Sequence, residues 1–247
     1  MQIGSNHTHF KTIDSTNVYS MDLLSKTTPI HGTVISADFQ THGKGQIGRI
    51  WQSDPNQNLA LSVILYPHFL NPQNQFSLSK AMSLGMVDFL ISLGISDVSI
   101  KWPNDIYIED KKVCGILIQN ILSGSKYQAA IVGIGLNVLQ KEFDPVLPNP
   151  TSLYLSGYSG IIDNTFYQTL FKALENRYQM LQSNDLIIQN DYQDYLYRLN
   201  AWSVYCNEDK HSFIAKLIGT DSIGRIKLEK ETGQTIRYSM GEITMVI

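Results

Sequence analysis

The chain has 247 residues, of which 43% are hydrophobic and 10% aromatic, so it can bury a core and intrinsic disorder is excluded. Its 19 Lys and Arg against 22 Asp and Glu give a formal net charge of −3, which excludes the broad positive charge that nonspecific nucleic-acid binding requires. The two cysteines, Cys114 and Cys206, are too few for a disulfide framework or a cysteine-rich zinc site.

The sequence also gives no sign of a membrane or secretory segment. No apolar run approaches the ~18 residues that a membrane span requires. The N-terminus has neither the basic nor the apolar region of a signal peptide. We therefore expect a soluble, cytoplasmic protein with neither a membrane nor a nucleic acid as its partner.

The first half of the chain predicts two strands and two helices. Residues 14–17 offer several N-cap side chains before an apolar stretch, which indicates a short helix. Residues 33–39 and 59–65 are rich in apolar and β-branched residues and predict strands, the second buried on both faces. Apolar residues at helical spacing predict a helix over 76–93, with Gly94 as its C-cap.

The second half predicts hairpins, helices and then a small all-β unit. Four strands, expected to form antiparallel hairpins, are predicted at 98–101, 106–108, 113–119 and 127–132. The turns between them fall at 109–111 and 123–125. Two helices are predicted around 166–181 and over 186–199. Short alternating strands from Ala201 to Ile247 indicate a small β-barrel, which is too small to be stable alone and should dock on the larger unit.

A glycine-rich loop occupies residues 40–51, directly after a predicted strand. Its glycines have the spacing G-x-G-x-x-G, but no helix begins at the third glycine and no acidic residue ends the next strand, so a dinucleotide fingerprint is not supported. With Lys44, Arg49 and Trp51, the loop is suited to close over an anionic ligand. A solvated connection is the ordinary alternative, and Trp51 is either a core anchor or a lid.

The segment 101–105, Lys-Trp-Pro-Asn-Asp, carries a second group of polar residues. Pro103 interrupts a strand pattern, so Asn104 and Asp105 should lie at a turn or bulge where their oxygens can face a cation. An Asx turn that only ends a strand is the alternative. Lys112 begins the next apolar strand, where it is either solvated or supplies a compact charge to a phosphate.

The third segment, 133–137, ends a buried strand with two glycines, which permit close approach of a ligand or simply of another backbone. Several other reaction classes have no support. The sequence contains no P-loop, no G-x-S-x-G elbow and no histidine pair at zinc-binding helical spacing.

Together these segments resemble the biotin protein ligase family, and the resemblance extends over nearly the whole chain. The matching segments are 15–17, 40–51, 101–105, 112–117 and 133–137. The Lys-Trp-Pro-Asn-Asp run is the most specific of them. The resemblance implies an α/β (α+β) fold, with residues 1–200 as a biotin- and ATP-binding catalytic domain of a mixed β-sheet flanked by helices, and residues 201–247 as a small SH3-like β-barrel. Because the motifs begin by Ser15, we expect no N-terminal DNA-binding domain.

The activity that this family implies is an ATP-dependent ligation. Biotin attacks the α-phosphorus of ATP to give biotinyl-5′-AMP and pyrophosphate, and a lysine of a biotin carboxyl carrier protein or carboxylase carrier domain then displaces AMP. The required cofactors are ATP and Mg²⁺, with biotin as substrate. Relatives occur as monomers and as homodimers, and both states remain open here.

The resemblance also implies roles for individual residues. Lys112, Lys44 and Asp105 are the expected catalytic residues, and Asp105 is a candidate base for the acceptor lysine. Asn104 and Asp105 are expected near Mg²⁺. The expected biotin contacts are Ser15, Thr16, Asn17, Gln40, Gly43, Lys44, Lys112, Gly115 and Gly133. The expected nucleotide contacts are Arg49, Trp51, Asn104 and Asn137.

The chain departs from the family at a few positions. Arginine often stands in relatives where this chain has Lys44 and Gln46, which predicts a leakier adenylate because the bidentate fork is lost. Gln119 replaces a frequent glutamate. Two alternatives remain: a lipoate or octanoate ligase or transferase of the same fold, for which the Arg-Arg-x-Ser-Gly-Gly-Gly stretch is missing, and a non-catalytic biotin sensor, against which Lys112 and Asp105 argue.

Overall fold

The computed structural model describes residues 2–46, 48–124 and 126–246, which form two β-sheets and four α-helices. Met1, Ile47, Ser125 and Ile247 lie outside the described residues. The predictions that fall on them therefore lie outside too: the centre of the glycine-rich loop, the end of the turn at 123–125 and the last residue of the predicted barrel.

The larger sheet is mixed, as predicted. Its strands are β1 (His7–Ile13), β2 (Thr33–Gln40), β3 (Asn58–Leu65), β4 (Val98–Lys101), β5 (Asp105–Ile108), β6 (Lys111–Ser123) and β7 (Lys126–Asn137). They lie in the order β1-β2-β3-β7-β6-β5-β4. Strand β1 is parallel to β2, and the other neighbouring pairs are antiparallel, which confirms the hairpins predicted between 98 and 132.

Sequence reasoning misses strand β1. Its residues, HTHFKTI, are mostly exposed because β1 is an edge strand of the larger sheet. A strand with no buried face carries little of the alternating apolar pattern by which strands are recognised. In contrast, all eight residues of β3 are buried, as the apolar run predicts.

Four helices accompany the sheet: α1 (Thr16–Lys26), α2 (Phe76–Ser92), α3 (Asn164–Ser183) and α4 (Asp185–Asp194). Helix α2 confirms the prediction over 76–93, and Gly94 follows it with a left-handed φ of 83°. Within the described residues, no helix combines the length and the apolar character needed to cross a membrane.

The helix predicted over 186–199 is too long, since α4 ends at Asp194. The next residues pair with strand β4 instead: Ile100 donates its N–H to Tyr195 O at 2.7 Å and accepts from Tyr197 N at 2.9 Å. Arg198 also has a positive φ of 57°, which a helix does not allow. The tertiary pairing thus overrides the helical pattern of the sequence.

The two faces of the larger sheet have different partners. Side chains alternate along a strand, so Gly133 and Gly135 of β7 face one side and Ile134 the other. Ile134 belongs to the hydrophobic core together with residues of α2 and α3. Gly133 and Gly135 instead face Asn17 of α1 and Trp51 of the glycine-rich loop. One face therefore carries the core and the other is open for a site.

The C-terminal unit is the small antiparallel β-structure that the sequence predicts. Its strands are β8 (Trp202–Asn207), β9 (Ser212–Thr220), β10 (Ile226–Glu229), β11 (Thr235–Tyr238) and β12 (Ile243–Met245). They form a five-stranded sheet in the order β11-β10-β9-β8-β12. The fold class is thus as predicted, while the division into domains at residues 200 and 201 stays a prediction.

The β9–β10 turn attaches this small sheet to the larger unit. Trp102 donates its indole N–H to Gly224 O at 2.9 Å. The Gln193 side chain both accepts from Thr220 N at 3.1 Å and donates to Thr220 O at 3.2 Å. A Cβ on Gly224 would lie 2.2 Å from the Phe76 ring, so the contact with α2 is close enough to require glycine. The small sheet is therefore docked, as expected for a unit with so little core of its own.

Candidate active site

A pocket opens on the glycine side of the larger sheet, and glycines form its floor. Gly115 of β6 pairs with Gly135 of β7, and Leu117 pairs with Gly133. A Cβ on Gly135 would lie 2.3 Å from the Trp51 ring, and one on Gly133 would lie 2.2 Å from the Asn17 carboxamide. Since real Cβ atoms do not approach so closely, any other residue would displace these side chains from the pocket.

The glycine-rich loop covers this floor as a narrow hairpin. Trp51 donates its backbone N–H to Gly43 O at 3.0 Å, and Gly45 donates to Arg49 O at 2.8 Å. Lys44 and Arg49 both line the pocket. The indole N–H of Trp51 is buried and has no hydrogen-bond partner among the described residues. The loop thus brings charge, an aromatic face and a free donor to one cavity.

Lys112 and Asp105 form an ion pair in the pocket. The Lys112 Nζ lies 2.7 Å from Asp105 Oδ1, and the two side chains are 29% and 19% exposed. The ammonium also lies 5.8 Å from the centroid of the Trp51 ring. A partly buried lysine beside a carboxylate and an aromatic face is held in one place and keeps a compact charge directed into the cavity.

A β-bulge puts Lys112 on the pocket side of β6. Lys112 and Gly115 are three residues apart, and in a regular strand this odd spacing places two residues on opposite faces. Here Ile106 pairs with Cys114, whereas Tyr107 pairs with Lys112, so β6 contains one extra residue. Bulges of this kind re-aim side chains next to active sites. As a result, Lys112 Nζ lies 3.4 Å from where a Gly115 Cβ would be.

Asn104 braces the turn that precedes Asp105. Its Nδ2 donates to Ile116 O at 2.6 Å, and its backbone O accepts from Ile116 N at 3.0 Å. Only the carboxamide oxygen of Asn104 is therefore available to a cation. The described residues contain no group of three or more His, Cys, Asp and Glu able to hold a metal alone. One carboxylate with one amide oxygen fits Mg²⁺ that is held mainly by substrate phosphates.

Neutral polar side chains form the wall opposite Lys112. Gln40 Oε1 accepts from Thr16 N at 2.8 Å and lies 3.1 Å from Thr16 Oγ1. Asn17 Nδ2 donates to Gln119 Oε1 at 3.2 Å. Thr16 and Asn17 are only 3% and 4% exposed, although both line the pocket. A largely uncharged ligand with a few hydrogen-bonding groups suits this end of the cavity.

The far end of the pocket combines an amide with apolar residues. Asn137 Nδ2 donates to Thr151 O at 2.9 Å, while its buried Oδ1 has no partner among the described residues. Phe143, Leu147 and Pro148 line the cavity near it. A flat heterocycle that carries an N–H donor is the kind of ligand that this wall suits.

Burial shifts the pKa of several groups around the pocket. Burial raises the pKa of the Cys114 thiol, so this cysteine stays protonated and inert. Burial also lowers the pKa of Lys101, although Asp105 opposes this effect.

Lys101 belongs to a second cleft, which runs between the larger sheet and the C-terminal unit. This cleft shares Gln46, Arg49, Asn104 and Asp105 with the pocket.

The pocket brings together nearly every residue that the sequence singles out. The predicted residues that line it are Ser15, Thr16, Asn17, Gln40, Lys44, Arg49, Trp51, Asn104, Asp105, Lys112, Gly115, Gly133 and Asn137. Gly43 is not among the lining residues, because its backbone pairs with that of Trp51. A Cβ on Gly43 would lie 2.5 Å from Trp51 O, so its place is in the hairpin that carries Trp51.

Sequence reasoning misses one wall and one buried hydroxyl. The missed wall residues are Phe143, Leu147, Pro148 and Pro150. Their signal is the run of three prolines with apolar neighbours at 145–150, in the connection that follows β7. The hydroxyl belongs to Ser62, the one serine in the otherwise apolar stretch 59–65, and it is bonded to Thr16 and Asn17.

Comparison with known proteins gives consistent matches. The model of the biotin/lipoate A/B protein ligase family matches residues 9–137. The bifunctional ligase/repressor BirA of Escherichia coli is 30% identical over 70% of this chain, and the biotin–[acetyl-CoA-carboxylase] ligase of Mycobacterium tuberculosis is 30% identical over 70%. The matches span 54% and 65% of these two relatives. The Aquifex aeolicus biotin protein ligase, solved with biotin and ATP, superposes with a TM-score of 0.79 at 27% identity over 98% of this chain and 99% of that one.

Proposed function

The chain belongs to the biotin/lipoate A/B protein ligase family, and we propose that it is a biotin protein ligase. It uses ATP to convert biotin into biotinyl-5′-AMP with release of pyrophosphate. It then transfers the biotinyl group to a lysine of a carboxylase carrier domain. The family resemblance of the sequence supports this proposal, as do the relatives that carry the same name and the likeness to a ligase solved with biotin and ATP.

The observation that carries the proposal is the position of the Lys112–Asp105 pair. It lies inside one cavity that has a neutral polar wall at one end and an aromatic and amide wall at the other. Biotin and the adenine base require these two kinds of surface, and the carboxylate of biotin must meet the α-phosphate between them. Of the described residues that line the cavity, Lys112 and Asp105 are the two that form an ion pair with each other.

The first step is controlled mainly by charge. A carboxylate oxygen of biotin attacks the α-phosphorus, and the bond from that phosphorus to the β-phosphate bridging oxygen breaks. Lys112 contacts both the biotin carboxylate and the α-phosphate, and so offsets the repulsion between two anions. Lys44 and Arg49 approach the phosphates from the loop. When bound by Asn104, Asp105 and the phosphates, Mg²⁺ would neutralise additional charge.

The two ends of the cavity then receive the uncharged parts of the substrates. Ser15, Thr16, Asn17 and Gln40 hold the ureido ring of biotin. At the other end, Asn137 Oδ1 accepts from the adenine amino group, because this buried acceptor has no partner among the residues that the structure describes. Trp51 and its loop cover the adenylate, and exclusion of water protects the mixed anhydride from hydrolysis.

The second step transfers the acyl group. The neutral amine of the carrier lysine attacks the acyl carbon of biotinyl-5′-AMP, AMP leaves, and the amine loses a proton. Asp105 is the carboxylate nearest to Lys112 and is the proposed acceptor of this proton. The carrier domain is the proposed protein partner of this site.

The experiment that tests this function combines intact mass with pyrophosphate release. The protein is incubated with ATP, Mg²⁺ and a carboxylase carrier domain, together with biotin, lipoate or octanoate in separate reactions. Of the three acids, only biotin should support pyrophosphate release, and the carrier in that reaction should gain one biotinyl group. Lys112→Ala should abolish the product, whereas Lys111→Ala, a change of the exposed neighbouring lysine, should not. A carrier modified only by lipoate or octanoate would replace the proposal, and no modification with any acid would refute it.

A further inference from the structure

A hydroxyl that does not line the pocket organises its neutral polar wall. Ser62 lies on β3 opposite Gly133 of β7 and is completely buried. Its Oγ lies 2.8 Å from Thr16 Oγ1 and 2.5 Å from Asn17 Oδ1. Gly133 leaves the space that the Asn17 carboxamide occupies above it. One side chain thus holds two residues of the pocket wall from below.

The side chains of Ser62, Asn17, Thr16 and Gln40 share a small number of hydroxyl hydrogens. Oxygen–oxygen contacts of 2.5, 2.8 and 3.1 Å connect Ser62 to Asn17, Ser62 to Thr16, and Thr16 to Gln40, respectively. Only the two hydroxyl groups of Ser62 and Thr16 have hydrogens to place in them, because the oxygens of Asn17 and Gln40 accept only. Two hydrogens therefore serve three contacts.

The order of the donors follows from the geometry. Asn17 donates its Nδ2 to Gln119, so its Oδ1 accepts, and the closest contact takes the hydrogen of Ser62. Thr16 has one hydrogen left, for either Ser62 or Gln40. Gln40 Oε1 already accepts from Thr16 N at 2.8 Å, so when Thr16 donates to Ser62 every oxygen of these four side chains has a partner. Hydrogen bonds therefore link the four side chains through Ser62, which fixes the orientation of Asn17 and Thr16.

We propose that Ser62 is a positioning residue that orients Asn17 and Thr16 so that this wall of the pocket binds a ligand with a urea-type group. The inference rests on the proposed function, because biotin carries a cyclic urea and lipoate and octanoate do not. A site built to hydrogen-bond such a group discriminates strongly against analogues that lack it. Ser62 does not touch the ligand and acts through its two neighbours.

The test is the affinity of Ser62→Ala for biotin, desthiobiotin and octanoate, measured by calorimetry. Loss of the hydroxyl should weaken the two urea-containing ligands by about 10- to 100-fold, since Asn17 is no longer held, and should not weaken octanoate. The KM for biotin should rise, while the KM for ATP and kcat at saturating biotin change little. A general loss of structure would alter all of these together.

The matched control is Ser36→Ala. Ser36 is equally buried on the neighbouring strand β2, but it contacts His7 and His9 on the other side of the sheet. Gln119→Leu serves as a second variant, because Gln119 is only partly buried and holds Asn17 from the other end. It should weaken the urea ligands in the same direction, and this result remains available if Ser62→Ala does not fold.

The outcomes separate the inference from the proposed function. If the parent protein binds neither biotin nor desthiobiotin, the proposed function fails and the inference fails with it. If the parent binds both ligands and Ser62→Ala weakens them no more than Ser36→Ala does, only the inference is overturned. Equal weakening of octanoate and biotin would overturn it too, since the effect would then not depend on the urea.

Discussion

The ammonium of Lys112 lies 2.7 Å from the carboxylate of Asp105, although Asp105 is the first residue of β5 and Lys112 the second residue of β6. The bulge in β6 creates this relationship, because it turns Lys112 towards the glycine floor. The pair lies between the two ends of the pocket, where the proposed reaction joins two anions. The first prediction follows from this position.

Lys112→Ala should fold and bind biotin, but its rate of adenylate formation should fall by about 10²- to 10³-fold, the usual effect of removing one donor that stabilises developing charge. Pyrophosphate release measures the rate and calorimetry measures biotin affinity. The exposed Lys111→Ala is the control. Undiminished pyrophosphate release in Lys112→Ala would reject the catalytic role of Lys112.

Gln46→Arg should slow the dissociation of biotinyl-5′-AMP. Gln46 lines both the pocket and the adjoining cleft, with its Nε2 3.2 Å from Met240 Sδ, so an arginine there can reach the phosphate of the adenylate. A gain of one charge-assisted bond corresponds to about a tenfold slower release. Gln234→Arg adds the same charge at a position that lines neither cavity. Equal dissociation rates in the parent and in Gln46→Arg would refute the expectation.

Trp102→Phe should destabilise the protein through the junction with the C-terminal unit. The variant keeps the ring but loses the indole donor, so Gly224 O loses its bond. An unpaired acceptor of this kind costs about 1–3 kcal/mol when it is buried. Urea denaturation measures the loss, with the half-exposed Trp202→Phe as the control. A free energy of unfolding equal to that of the parent would show that the contact does not hold the junction.

Lys80→Met should change the pH dependence of stability. Lys80 is 1% exposed, and burial lowers its pKa although Asp185 and Asp221 oppose the shift and Lys227 adds to it. The unfolded chain keeps this proton up to its usual pKa of 10.5, whereas the folded protein releases it at lower pH. Between these two pKa values the unfolded state binds more protons, so the contribution of Lys80 makes the protein more stable as pH rises.

The measurement for this prediction is the free energy of unfolding at several pH values below 10.5. In Lys80→Met the free energy of unfolding should rise less with pH than in the parent. The substitution should therefore increase the free energy of unfolding most at the lowest pH. Lys172→Met, a change of an exposed lysine on α3, should leave the slope of the parent unchanged. An identical slope in Lys80→Met and the parent would contradict the assignment.

Much of the fold follows from local patterns. The buried strand β3 is predicted because an uninterrupted run of apolar residues is typical of a strand that is buried on both faces. Helix α2 is predicted because its apolar residues recur at helical spacing up to Gly94. The edge strand β1 is not predicted, because it is mostly exposed and lacks an apolar pattern. The early end of α4 is not predicted either, because pairing with β4 determines it and no local sequence pattern indicates that pairing.

The pocket shows the same division. Segments such as Lys-Trp-Pro-Asn-Asp identify the chemistry from residue types and order alone, and they lead to the family. They do not reveal that Trp102 binds the C-terminal unit instead of the pocket, or that Ser62 supports Thr16 and Asn17. Those contacts join residues far apart in the chain.

The amino-acid sequence by itself determined the family, the fold class and which segments carry chemistry, because these depend on residue type and local spacing. The tertiary structure decided which side chains meet: a single extra residue in β6 sets the face on which Lys112 lies, and strand pairing places Gly133 beneath Asn17. The physical reason is that side-chain direction in a sheet alternates with every residue, so the register between distant strands controls the geometry of the site.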